Sequence, residues 1–125
     1  MDDLVERNGL YYKKFSDVPF TGELTGFETG KLKDGLKYGV WRLYHENGQL
    51  EEKANYKNGK KDGPYEKYYE NGQLDERGLY RDGEINGLFE YYFRNGILNM
   101  TSNYKDQEKV ITIYNDDGTV GIIQI

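Results

Sequence analysis

The 125 residues include 17 Lys and Arg against 22 Asp and Glu, a formal charge of −5 with the one His neutral, which excludes the basic surface that a nucleic-acid binder needs. Sixteen Gly and 13 Tyr stand beside a single Ala, Ala54, and no Cys, which argues against a helical domain and excludes a disulfide framework, a thiolate nucleophile and a Cys-ligated zinc. The length fits one domain, and the glycines come without the Pro, Ser or Gln excess of low-complexity chains.

In chain order, Met1 to Asn8 has neither the basic n-region nor the apolar h-region of a secretory leader. No apolar run approaches the roughly 18 residues of a membrane span. The chain as given is expected to be soluble, with no membrane insertion; a cytoplasmic location is favoured, and a secreted one fits if a leader has been removed. A strand is expected around Leu10-Tyr11-Tyr12, followed by a shortened repeat of about 18 residues carrying Pro19-Phe20-Thr21-Gly22-Glu23-Leu24 and Phe27-Glu28-Thr29-Gly30-Lys31-Leu32.

From residue 39 the chain repeats every 24 residues without a gap: Gly39-Val40-Trp41-Arg42-Leu43-Tyr44, Gly63-Pro64-Tyr65-Glu66-Lys67-Tyr68 and Gly87-Leu88-Phe89-Glu90-Tyr91-Tyr92. The same offset relates Asn47-Gly48-Gln49-Leu50, Asn71-Gly72-Gln73-Leu74 and Asn95-Gly96-Ile97-Leu98, and then Tyr56, Tyr80 and Tyr104. The organisation is therefore a single domain, 1–125, with an N-terminal strand and degenerate repeat (1–38), three full units (39–62, 63–86, 87–110) and a degenerate repeat with a capping strand (111–125).

Ten of the 16 glycines follow Asn or Asp, the dipeptides that supply the positive φ of tight hairpin turns. Each unit thus reads as two antiparallel strands, A from about Val40 to His45 and B from about Gln49 to Lys57, with turns at Asn47-Gly48 and Asn58-Gly59. The expected fold is all-β, an elongated single-layer antiparallel meander of stacked hairpins.

Alternation along strand B puts Leu50, Glu52, Ala54 and Tyr56 on one face, and the small column Ala54, Gly78, Ser102 leaves room there for rings from strand A. In strand A the aromatic residues lie three apart, so Trp41, Tyr65 and Phe89 project from one face and Tyr44, Tyr68 and Tyr92 from the other. The first column is expected to be core, packed over Leu50, Leu74 and Leu98. A single layer that bears rings on both sides has aromatic surface to spare, so all six residues are candidates for partner contact. Downstream, the 10-residue spacing of Tyr104 and Tyr114 predicts a shortened turn, and Thr119 to Ile125 reads as an apolar cap.

The pattern G-x-[WYF]-x-x-Y-x-x-N-G-x-L followed by Y-x-[ND]-G-x-x-x-G resembles the bacterial variant of the MORN repeat found in antitoxin-like repeat proteins, over nearly the whole chain from Pro19 to Gly118. The resemblance implies an elongated sheet of stacked hairpins without catalytic residues of its own. It also implies an antitoxin or immunity role, with scaffold or membrane-proximal interaction modules as the other uses of such repeats.

No other pattern carries chemistry. His45, the single histidine, lacks the Ser, Cys or second His that catalysis or metal binding needs, and its column continues as Tyr69 and Phe93. Asn115-Asp116-Asp117-Gly118 lacks the alternating ligands and closing Glu of a calcium loop and reads as a hairpin turn. Gly22 to Gly30 has no Lys-Ser or Lys-Thr after it and no helix to open, unlike a phosphate loop. Glu51 and Glu52 are expected on opposite faces, and Glu76 recurs at the repeat offset, with Lys53 and Arg77 as cross-strand partners. No enzyme, cofactor or metal site is expected. The reading is a protein-binding module whose partner is a toxin or effector; the alternative is a scaffold that self-associates through an edge strand near residues 4–12 or 119–125.

Overall fold

The computed structural model describes residues 4–105 and 108–124. These form twelve strands: β1 (Leu4–Arg7), β2 (Leu10–Lys13), β3 (Gly22–Leu24), β4 (Glu28–Lys33), β5 (Leu36–Tyr44), β6 (Leu50–Lys57), β7 (Lys60–Tyr68), β8 (Leu74–Arg81), β9 (Glu84–Tyr92), β10 (Leu98–Lys105), β11 (Glu108–Tyr114) and β12 (Val120–Gln124). Strands β3 to β12 make one ten-stranded antiparallel sheet whose spatial order is its chain order, so the fold is the expected single-layer meander.

Two kinds of turn alternate along it. At one end of the sheet, Asn58-Gly59 joins Lys57 to its direct partner Lys60 with both central residues at positive φ, 51° and 80°. This is the I′ geometry whose twist matches that of paired strands, and it is why Asn or Asp precedes Gly there. At the other end, His45 to Gln49 closes a longer loop: the Gly48 amide donates to the His45 carbonyl at 2.9 Å and the His45 amide to the Gln49 carbonyl at 2.8 Å. The same two bonds recur at Tyr69–Gln73, Phe93–Ile97 and Asn115–Thr119.

The structure corrects three expectations. First, strand A is longer than expected. It starts at Leu36 rather than Val40, because pairing resumes directly after the tight turn, and the Gly that opens each unit sits inside the strand. Between the pairs Ala54↔Tyr65 and Tyr56↔Lys61, β7 advances four residues while β6 advances two. Gly63, at φ 114°, absorbs the excess as a bulge.

Second, the Leu column is on the other face. Leu43 pairs with Glu52 but Tyr44 pairs with Leu50, leaving Glu51 as an extra residue; Asp75 and Asn99 are skipped in the same way. Each bulge interrupts the alternation, so Leu50, Leu74 and Leu98 lie opposite Tyr44, Tyr68 and Tyr92 rather than beneath the Trp41 column.

Third, residues 4–12 are not an edge of the main sheet. Among the described residues β1 and β2 form a separate two-stranded sheet, with a bridge from Tyr12 to Pro19. They are tied to the array by the Tyr11 amide donating to the Gly35 carbonyl (2.9 Å) and the Gly35 amide to the Phe20 carbonyl (2.7 Å). The edges of the main sheet are β3 and β12. Ile125 of the expected cap and the 106–107 turn lie outside the described residues.

The core lies on one face of the sheet. Trp41, Tyr65 and Phe89 are 3%, 6% and 0% exposed, with Leu32, Ala54 and Ser102 buried beside them. The small column is what admits the rings. A Cβ added at Gly78 would overlap the Phe89 ring, and one added at Gly30 would overlap Trp41. Gly30 thus extends the Ala54, Gly78, Ser102 column by one unit upstream.

Candidate protein-binding face

The two faces of the sheet differ in how they are covered. On the core face the rings shield one another. Tyr65 stacks on Phe89 with centroids 5.8 Å apart, and Tyr80 meets both edge-on at 5.2 and 6.0 Å. Lysines close the layer. Lys37 Nζ lies 4.5 Å from the Trp41 ring centroid and 5.0 Å from that of Tyr56, with Glu28 Oε1 at 2.7 Å. One unit on, Lys61 repeats this over Tyr65 and Tyr80 at 4.5 and 5.2 Å, with Glu52 at 3.4 Å. Burial and the neighbouring Glu52 carboxylate push the Tyr65 hydroxyl well above its ordinary pKa, so this layer holds neutral phenols against ammonium groups.

The third unit departs from this rule. Ile85 stands where Lys37 and Lys61 stand, and it packs into the core cluster beside Phe89. Glu76, equivalent to Glu28 and Glu52, is left with Lys67 at 3.7 Å. Burial raises the Glu76 pKa, and the attraction of Lys67 does not cancel that effect.

The outer face has three rows running across the strands. The first joins Tyr44, Tyr68 and Tyr92 to their partners Leu50, Leu74 and Leu98, all partly buried. The second is charged: Lys53 opposes Glu66, Glu66 opposes Arg77, and Arg77 opposes Glu90. Arg77 binds Glu90 at 2.9 Å. This row fixes the tyrosines, because the Tyr68 hydroxyl donates to Glu66 at 2.9 Å and that of Tyr92 to Glu90 at 3.0 Å. Burial, then the bond to the carboxylate, raises both phenol pKa values. Tyr44 has Arg42 two residues before it in place of a carboxylate.

The third row is open and largely apolar, with Asn103 inside it. Pro64 pairs with Leu79, and Leu88 with Asn103, which pairs in turn with Val110. Leu79 and Leu88 are 47% and 50% exposed, and Val40 and Val110 flank them at 37% each. At the β4–β5 end the face dips into a hollow of about 460 Å³ lined by Thr29, Lys31, Tyr38, Val40 and Arg42.

Of the six sequence candidates, Tyr44, Tyr68 and Tyr92 therefore lie on the outer face with part of each ring accessible. Trp41, Tyr65 and Phe89 are enclosed in the core on the opposite face, at 3%, 6% and 0% exposure. Leu79 and Leu88 were not among the candidates. Continuing the period-two alternation through Gly87-Leu88-Phe89 finds Leu88 opposite the core ring, and strand B places Leu79 beside it.

The remaining polar residues have structural partners. His45 Nε2 lies 2.8 Å from the Tyr68 carbonyl and Nδ1 3.3 Å from Glu51, so the ring bridges one loop to the next unit. Asn47 and Asn71 link the same loops, their side-chain amides donating to the Glu70 and Arg94 carbonyls, each at 3.0 Å. Asp117 accepts from the Thr119 amide at 2.9 Å and its hydroxyl at 2.6 Å, which holds its pKa low and fixes the last loop. Among the described residues no group of three His, Asp or Glu converges to hold a metal, and no helix is long and apolar enough to cross a membrane.

A one-layer array of β-hairpins, covered on one face by its own side chains and open on the other, defines a repeat protein of the binding class, in which a regular framework presents a surface. The chain belongs to the MORN repeat variant family: three copies of the repeat match at residues 37–58, 61–82 and 85–106, together more than half of its length. Repeats of this family mediate protein and membrane interactions and are not typically catalytic. No curated protein matches the chain.

Proposed function

We propose that the protein is a non-catalytic binding module that neutralises a partner protein by covering part of its surface, in the manner of an antitoxin or immunity protein. The observation that carries this reading is the open row Pro64, Leu79, Leu88, Val110 on the outer face, across the charged row from tyrosines that its carboxylates hold in place. Such an arrangement supplies the two things a recognition surface needs: apolar area to desolvate and aromatic groups that lose little freedom on binding. Tyr44, Tyr68 and Tyr92 make contact, while Trp41, Tyr65 and Phe89 hold the floor beneath them. The −5 charge favours a basic partner through faster encounter.

The test is to mix the purified protein with the product of the adjacent gene and follow complex formation and loss of that product's activity. Leu88→Glu and Tyr92→Ala are expected to abolish the complex with the circular dichroism of the free protein unchanged. A complex indifferent to both substitutions, or no complex, defeats the reading.

A further inference from the structure

The two edges of the main sheet are protected very differently. β3 is three residues long and carries Glu23, and Pro19 and the β1–β2 hairpin crowd the chain leading into it. Shortness, charge and covering loops are the devices by which natural sheets prevent another strand from adding. β12 uses none of them. Val120-Gly121-Ile122-Ile123-Gln124 is the one strand of the twelve without a charged residue. Val120, Ile122 and Ile123 are 55%, 52% and 61% exposed, so both faces of the strand remain wet. One side of β12 pairs with β11, Ile113 opposite Ile122 and Thr112 opposite Ile123; the other side offers backbone donors and acceptors to a further strand.

We propose that β12 pairs antiparallel with β12 of a second copy, joining two ten-stranded sheets into one twenty-stranded sheet about a two-fold axis. The occupant follows from the chemistry of the edge. An uncharged, largely aliphatic strand can pair with its own copy in antiparallel register with isoleucines meeting at the centre and no like charges opposed. Closure follows from the other edge. A head-to-tail contact of β12 on β3 would propagate into a filament, but β3 is guarded, so the two-fold contact is the one left and assembly stops at two. The outer face is untouched, so this pairing is independent of the partner-binding reading, and a dimer presents two such faces.

The test uses the 125-residue chain itself. Sedimentation equilibrium over a concentration series is expected to give a monomer–dimer equilibrium with no larger species. Ile122→Lys and Ile123→Lys, both at exposed positions, are each expected to raise the dimer dissociation constant at least about tenfold, because each brings two like charges close together about the two-fold axis, with the circular dichroism unchanged. Because the chain has no Cys, Ile122→Cys and Ile123→Cys each introduce a single thiol. In two-fold pairing a residue on the axis faces its own copy, so mild oxidation is expected to cross-link one of these variants through that residue. A strict monomer at millimolar concentration overturns the proposal and leaves β12 to a strand of another protein. A dimer insensitive to both lysines moves the contact elsewhere, and growth beyond two copies refutes closure.

Discussion

Leu88 and Phe89 are chain neighbours on β9, yet Leu88 is half exposed and Phe89 is 0% exposed. They share a strand, the neighbouring strands β8 and β10, and nearly the same distance from the turns. The difference lies in what faces each of them: Phe89 pairs with Gly78 and Ser102, small residues that let a ring lie flat on the backbone, whereas Leu88 pairs with Asn103 and stays half exposed. In a one-layer sheet no second layer exists to do the burying. A face becomes a core only where small residues make room and neighbouring rings and lysine stems fold over it. The opposite face, built on the same backbone, stays available.

The sharpest way to break this contrast is to remove the ring. Phe89→Ala is expected to cost about 3–5 kcal/mol, measured by urea unfolding, against less than about 0.5 kcal/mol for Leu88→Ala. Equal costs would end the distinction between the faces. Next in size, Gly78→Val pushes a branched side chain into the Phe89 ring and is expected to cost at least about 1–3 kcal/mol. Asn71→Ala removes the bond it accepts from the Gln73 amide within its own loop and the bond it donates to the Arg94 carbonyl of the next, for about 1 kcal/mol each at most.

Glu76→Gln acts in the other direction and reports on pH. Burial raises the Glu76 pKa in the folded protein, so the native state holds the proton more tightly than the unfolded chain does. Any stability linked to it is present below the unfolded pKa and is lost as pH rises through the folded one. The variant is therefore expected to match the parent in acid and to exceed it at neutral pH, by urea midpoints measured at both. A parent that gains on the variant as pH rises would reverse the assignment. A small effect on stability is also expected for Arg77→Ala, within about 1 kcal/mol because the Arg77 side chain of the pair is about half exposed; its signature is looser binding through Tyr92, which loses the bond from Arg77 and keeps only that to Glu90.

The sheet, its period, both ring columns and the small column beneath one of them follow from residue types spaced at twos and twenty-fours. The bulges that skip Glu51, Asp75 and Asn99 do not, for a physical reason: they are properties of pairing, and these three residues share no side-chain chemistry that marks them as extra. The spacing does contain the clue. A five-residue loop from His45 to Gln49 puts Tyr44 opposite Leu50, whereas Trp41 over Ala54 demands a register one residue longer, and only an inserted residue reconciles the two. The open row on the outer face is less conspicuous in the sequence, since Leu79 and Leu88 each stand next to a position that repeats as a ring, Tyr80 and Phe89. The guarded and bare edges were legible in part: the apolar terminus marks β12, but the pairing of β1 with β2 alone could not be read from composition.

The loop-to-loop bonds also give the array a direction. His45 reaches the Tyr68 carbonyl and Tyr69 the Tyr92 carbonyl, each fastening its own loop to the unit that follows. Phe93 is third in that column and has no donor with which to continue. Successive units are thus latched at the start of the array and unlatched at its end. Diluted to the monomer, the protein under denaturant should peel from β12 inward, with amide exchange fastest in β11 and β12 and slowest between β5 and β8, as though the repeats were closed by a zip whose last teeth are missing.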